Sequence, residues 1–376
     1  MSERDELDLD LKLRMMRFLW YNGYYVKRNL DLVKYNSGYA NGGQRQYTDV
    51  DVFGLRIGES FKQSITICDC KSGTSASTNE RIFWLAGVMS YLDAERGFFV
   101  RSKINERQYL DIGERLHITP LSESQLSHLE KAYNIGSKPF IGSFNKFLAK
   151  KGHDIFEKMK EETPMVHDYL RSKYWMDPLQ DQITALILAE SKIMHLEILK
   201  DDEILFLQLH ILSLLSLSVL KYAEPILVIA PDQKSNYIYE TILGGRIESM
   251  ERKKLLEKFY DFMHEEISKR YHTEYPISKS DFLSFAYPNY LKYLIDLIER
   301  ICLNPLASIH VPRILDIIAY EHILNKNYVV KEQFDLSDEN FSDALKIVDN
   351  FLMFGQRCGF FDPEISDIIN NIISNS

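Results

Sequence analysis

Two short stretches hold the residues that could do chemistry: Thr48-Asp49-Val50-Asp51-Val52 and Asp69-Cys70-Lys71. Both read as β-strand. Acids alternate with valines in the first, and Ser64-Ile65-Thr66-Ile67-Cys68 leads into the second. Successive side chains of a strand point to opposite faces. Asp49 and Asp51 therefore share a face, and so do Asp69 and Lys71; Cys68 and Cys70 turn away as small buried hydrophobes. Seventeen residues separate Asp51 from Asp69, enough for two antiparallel strands and a turn at Gly58-Glu59-Ser60. The two acidic faces can then meet at one end of a sheet. Clustered carboxylates repel, and burying them is costly without a cation between them. Mg²⁺ or Mn²⁺ is satisfied by two carboxylates and keeps several waters. Such an ion acidifies a bound water and neutralises charge on a phosphodiester, while a nearby lysine orients the water or holds the phosphate. These are the parts of metal-assisted phosphodiester hydrolysis.

The elements that must position these residues can be read around them. Residues 5–20 place Leu7, Leu9, Leu11, Leu13, Met15, Met16, Phe18 and Leu19 among charges and stop at Asn22-Gly23, which predicts a helix. Residues 24–33 predict a strand and residues 36–43 a loop rich in Asn and Gly. Residues 79–93 predict a helix with Thr78 as N-cap, then come short strands at 97–100 and 117–121 and a closing helix over 123–133. The order describes a compact α/β unit over residues 1–137.

Asp51, then Asp69-Cys70-Lys71 at the end of a hydrophobic strand with a helix before and after, resembles the PD-(D/E)xK nuclease superfamily. The resemblance covers about residues 5–125. It implies a restriction-endonuclease-like fold: a helix, a three-stranded meander, a second helix and a further strand. It implies Asp51 as first metal ligand, Asp69 as second and Lys71 as catalytic lysine, with Mg²⁺ or Mn²⁺ as cofactor. Asp49 competes with Asp51 for the first place. Some members add an acid from the first helix, which Asp10 or Glu6 would match; others add one after the lysine, where Glu80 is nearest. The implied activity is endonuclease cleavage of nucleic acid, DNA favoured over RNA. A nuclease core joined to a helical module further resembles bacterial defence or restriction proteins.

Composition frames this reading. The chain has 376 residues, a net charge of −9, 45% hydrophobic and 26% charged residues, as ordinary globular proteins do. Residues 138–376 are dominated by long helical runs and predict a larger all-α domain for sensing, docking or oligomerisation. One of these runs, residues 141–162, is marked for a break at Gly152, and residues 225–230 carry the best strand signal of this half, with a helix as the alternative. The apolar run at 204–220 holds Gln208, His210 and serines, so it predicts a buried core helix and no membrane span. Residues 1–150 carry 21 Lys+Arg against 18 Asp+Glu, whereas the remainder carries 24 against 36. Any nucleic-acid contact is therefore local to a basic face. Arg81, Lys27, Arg28 and Arg45 are the candidate phosphate contacts, and Trp84 is read as core. Four scattered cysteines and an acidic N-terminus without an apolar segment predict a reducing, cytoplasmic setting. No Walker motif marks an ATP site. The alternative class is a binding subunit or scaffold, in which the nuclease-like core has become structural and the acidic helices contact protein partners or a second copy.

Overall fold

The computed structural model describes residues 3–34, 45–73, 77–284, 287–327, 331–334 and 336–360. Helix α1 (Glu3–Tyr21) leads into a meander of β1 (Tyr24–Lys34), β2 (Arg45–Ile57) and β3 (Gln63–Lys71), all antiparallel. Helix α2 (Thr78–Leu92) carries the chain over to β4 (Arg96–Arg101), which pairs with β3 in parallel. A short helix α3 (Leu110–Arg115) precedes β5 (Ile118–Ser122), parallel to β4, and α4 (Glu123–Ala132) follows. The result is a mixed five-stranded sheet in the order β1-β2-β3-β4-β5.

Alternation along β2 decides which partner covers which face. Gly54 faces α1: a Cβ there would lie 3.0 Å from Leu19 Cδ1, so glycine lets the helix approach. Phe53 faces the other way, with its ring 4.8 Å from that of Trp175. Helix α1 is also tied to α4, because Arg14 and Arg17 both pair with the buried Glu130, each at 2.8 Å. Helix α4 starts at a reciprocal cap. Ser122 Oγ accepts from the Gln125 amide at 3.3 Å, and Gln125 Oε1 accepts from the Ser122 amide at 3.2 Å.

The second region is mostly helical. It comprises α5 (Lys146–Glu162), α6 (Pro164–Arg171), α7 (Leu179–Ile193), α8 (Asp201–Ile226), α9 (Pro231–Ile242), α10 (Arg246–Tyr271), α11 (Lys279–Ser284), α12 (Leu291–Leu303), α13 (Pro305–Ser308), α14 (Val311–Ile317) and α15 (Asp338–Arg357). A π-helical turn over Ile318–Leu324 extends α14. Helix α8 is apolar on all sides, as a central helix must be, and packs against α7, α12, α14 and α15. By length and composition it could cross a membrane, yet 83% of its apolar window is buried inside the protein.

Two local expectations are corrected. Helix α5 does not break at Gly152. The glycine instead admits Tyr320, whose Cε1 would lie 2.9 Å from an added Cβ. Residues 225–230 form no strand, because α8 runs through Pro225 to Ile226 and leaves too few residues to pair. Helices α3, α6, α9, α11 and α13 were not expected; all but α9 are short, and α6, α9 and α13 start at prolines, which suit the first helical turn. The two regions share one continuous apolar core. Arg313 donates to the Trp20 carbonyl at 2.9 Å, and Trp20 Nε1 donates to the Gln333 carbonyl at 3.3 Å.

Candidate active site

The site lies where β2 and β3 part. Their ladder ends at Val52 opposite Cys68. One further step in that register would set Asp51 against Asp69, and like charges directly opposite are destabilising. The ladder stops there, and β3 pairs on with β4 through Asp69, Cys70 and Lys71. The Cys70 amide, left without a ladder partner on β2, donates to Asp51 Oδ2 at 2.8 Å. A carboxylate thus takes the place of a main-chain acceptor.

Both carboxylates are deeply buried: Asp51 is 3% exposed and Asp69 1%. Neither could remain charged there without cations, and each has its own. Asp51 Oδ1 accepts from Lys12 Nζ at 2.6 Å and from Lys71 Nζ at 3.2 Å. Asp69 is gripped by both arms of Arg81: Oδ2 accepts from Nε at 3.1 Å, and Oδ1 accepts from the terminal nitrogen. The Arg81 guanidinium rests on the Trp84 ring, 3.9 Å from its centroid. Lys71 and Arg81 are the members most open to solvent, so they line the mouth of the site.

The electrostatics follow from this pairing. Burial pushes the Asp51 carboxyl up, but Lys12 and Lys71 with the Cys70 amide outweigh it and hold the group below the usual carboxylate range. Burial wins at Asp69, with Asp51 adding to it against Arg81, and that carboxyl lies above its ordinary value. Burial pulls Lys71 down, but the facing acids prevail and raise it. A raised lysine stays charged at neutral pH, so Lys71 suits the holding of a phosphate better than the removal of a proton. Burial pushes the Cys68 and Cys70 thiols well up, consistent with inert packing groups.

The other candidate residues fall elsewhere. Asp49 is exposed and sits opposite Asp31 on the edge strand. Asp10 and Glu80 are exposed and do not join the cluster, and Glu6 pairs instead with Lys146 at 2.5 Å. The acid that α1 does bring is Asp8, which accepts from the Ser72 amide just past the strand end. Arg81 is the partner of Asp69 and no freely exposed phosphate contact. Lys27 donates to the Leu170 carbonyl at 2.9 Å, and with Arg28 it lines a cavity against the helical region, touching neither acid. Arg45 opens β2, and its side chain lies outside the described residues, as does the loop at 35–44. Trp84 is half-buried and serves as platform for Arg81.

Sequence reasoning missed Asp8 and Lys12. A signal existed: the two are four apart in a helix and therefore share a face. The leucines at every second position of α1 hid it, since they surround the helix instead of marking one side.

Among the described residues, no three His, Cys, Asp or Glu side chains gather closely enough to hold a metal alone. The donor chemistry still fits a hard divalent cation. A carboxylate has about four lone-pair sites. Three on Asp51 and two on Asp69 accept hydrogen bonds, which leaves places for a cation that keeps several waters. Comparison with protein-family models, with curated proteins and with solved structures yields no match.

Proposed function

We propose that the chain is a metal-dependent nuclease of the restriction-endonuclease-like kind, hydrolysing phosphodiester bonds in nucleic acid, with DNA as the favoured substrate. The observation that carries this reading is the convergence of Asp51, Asp69 and Lys71 where β2 and β3 part. The chain order around it, helix, meander, helix and strand, supports the same reading. Asp51 and Asp69 would hold a Mg²⁺ or Mn²⁺ ion. When bound, that ion supplies a more acidic water and neutralises charge on the phosphate. Lys71, charged and at the mouth, holds the scissile phosphate beside the acids. Lys12 keeps Asp51 ionised and fixed, a positioning role. Arg81, which donates to both Asp69 oxygens, would share that carboxylate with the ion and could turn a donor to the nucleic-acid backbone. The test is incubation of the full chain with plasmid and single-stranded substrates in Mg²⁺, Mn²⁺ or EDTA, beside Lys71→Ala. Cleavage that needs metal and Lys71 supports the assignment; cleavage in EDTA, or undiminished in the variant, overturns it.

One observation favours the second reading, a silent scaffold. Every described charge of the acidic pair is already balanced by Lys12, Lys71 and Arg81, so the site is self-consistent as an ion-pair network. Helix α10, with none of its residues buried, exposes Leu255, Phe259 and Phe262 and offers a face for a protein partner or a second copy. Mn²⁺ titration separates the two readings. A live site takes up the ion and loses it in Asp69→Asn, whereas a scaffold binds none.

A further inference from the structure

A cavity of about 170 Å³ lies between the edge strand β1 and the helical region, away from Asp69. Engineered cavities near this size hold one benzene-sized ligand. Its lining is charged where a packing void would be apolar. Lys27 and Arg28 come from β1, Arg171 from the end of α6, His210 from α8 and Asp316 from α14. The three cations have no close carboxylate partner among the described residues, and Asp31 acts on Lys27 and Arg171 only from beyond ion-pair distance. Among the described residues Lys27 and Arg28 make no ion pair, and Arg171 reaches Glu157 only at 4.0 Å. His210 is 7% exposed, and its Nε2 has no hydrogen-bond partner among the described residues. Buried polar atoms are nearly always paired, so an orphan in a cavity wall marks a missing partner.

We infer that this cavity is a binding site for the phosphate group of a small molecule, such as a phosphate monoester or a mononucleotide. Two guanidinium forks and an ammonium on one small volume match a multiply charged oxyanion. A carboxylate ligand has only two oxygens; a phosphate has enough to meet Arg28, Arg171, Lys27 and His210 together. Asp316 does not oppose this strongly. Burial pushes its carboxyl up to about 7, with Ser143 and Lys27 pulling the other way. Lys27 is pulled down to about 7 by burial and by Arg171, with Asp31 and Asp316 pulling the other way. The small volume, half open to solvent at Lys27, Arg28, Asn29, Arg171 and His153, suits a terminal phosphate. Asn29 also lines the cavity, and its Oδ1 accepts from Lys12 Nζ at 2.9 Å, the same nitrogen that holds Asp51. The cavity is thus two side chains away from the candidate active site.

The inference is independent of the hydrolytic reading, because its test contains no metal and no polymer. The full chain is titrated calorimetrically with inorganic phosphate and, separately, with adenosine monophosphate, in a buffer free of other multivalent anions. Saturable binding of either is expected; preference for the nucleotide identifies a nucleoside phosphate as the source, and equal binding identifies free phosphate. Arg28→Ala and Arg171→Ala each weaken binding about tenfold or more, as loss of a charge-assisted contact does. His210→Gln keeps a polar tip and serves where an arginine variant fails to fold; it too weakens binding. Absence of binding to the folded wild-type chain overturns the inference, as does unchanged affinity in every folded variant. Capture of a 5′-phosphorylated oligonucleotide with no binding of phosphate or mononucleotide also overturns it, since the cavity would then belong to a nucleic-acid path.

Discussion

At the scale of the residue, Asp51 and Lys71 touch each other yet answer different demands. Asp51 is almost wholly buried and accepts from three donors. Asp51→Ala removes all three bonds and leaves the Lys12 ammonium in a nearly closed site. A loss of about 3 kcal/mol of stability is expected, the scale of a broken buried pair. Lys71 is a third exposed, so Lys71→Ala is expected to change stability by less than about 1 kcal/mol. On the proposed nuclease reading, both variants are expected to lose cleavage by about a hundredfold or more, the scale of removing a group that stabilises transition-state charge. Chemical denaturation beside a cleavage assay checks this, and a Lys71→Ala chain less stable than Asp51→Ala would contradict the pairing. Arg81 gives a second prediction. On the proposed reading it competes with a metal ion for Asp69, so Arg81→Ala is expected to bind Mn²⁺ several-fold more tightly than wild type. Weaker Mn²⁺ binding in that variant would show that Arg81 supports the metal site and does not occlude it.

At the scale of the element, α7 carries Glu190 into the packing against α8. Burial pushes its carboxyl up to about 8 from 4.5, against the pull of Gln208. Between these two values the folded chain holds a proton that the unfolded chain has released. The unfolded state binds fewer protons there, so stability falls as pH rises through that window, by up to roughly 1.4 kcal/mol per unit. Below pH 4.5 and above pH 8 this group contributes no slope. Glu190→Gln, of nearly equal shape, removes the effect. Thermal melts from pH 5 to pH 8 are expected to fall more steeply for wild type than for the variant, and parallel curves would place Glu190 in a wetter setting than its helix suggests.

At the scale of the whole molecule, the change in composition near residue 138 marks a change in secondary structure, while the apolar core runs across it. Residues 1–137 by themselves would expose Phe53 and Tyr25, now covered by Trp175, and Trp20, now packed on Phe144 and Phe334. They would also lose the bond from Arg313 to the Trp20 carbonyl. A chain ending at residue 137 is therefore expected to lose fixed tertiary packing. It would bind a hydrophobic dye and give little near-ultraviolet circular dichroism, the signs of a compact state without specific packing. A cooperative melt and sharp side-chain spectra from that fragment would show that the sheet region folds alone. Functional tests of the acidic helices are for this reason better made by charge substitution in the full chain than by truncation.

The sequence by itself determined the strands β1 to β5, the helices α1, α2 and α4, the helical character of the second region and the buried nature of α8. Periodicity, caps and turn residues are local signals, and they act within a few residues of where they are written. The facing of Asp51, Asp69 and Lys71 was legible for the same reason, since strand alternation is local. Only the tertiary structure decided which cations meet those acids. Lys12, Arg81 and Asp8 reach the site from two helices, and the shared face of Asp8 and Lys12 does not by itself rank them above Glu6 and Asp10, which are also four apart. Tertiary packing also moved Lys27 and Arg28 from a nucleic-acid face to an inner cavity, because the edge of β1 is covered by helices more than a hundred residues away. Such pairings depend on which surfaces the packed core brings together, and that information is spread over the whole chain.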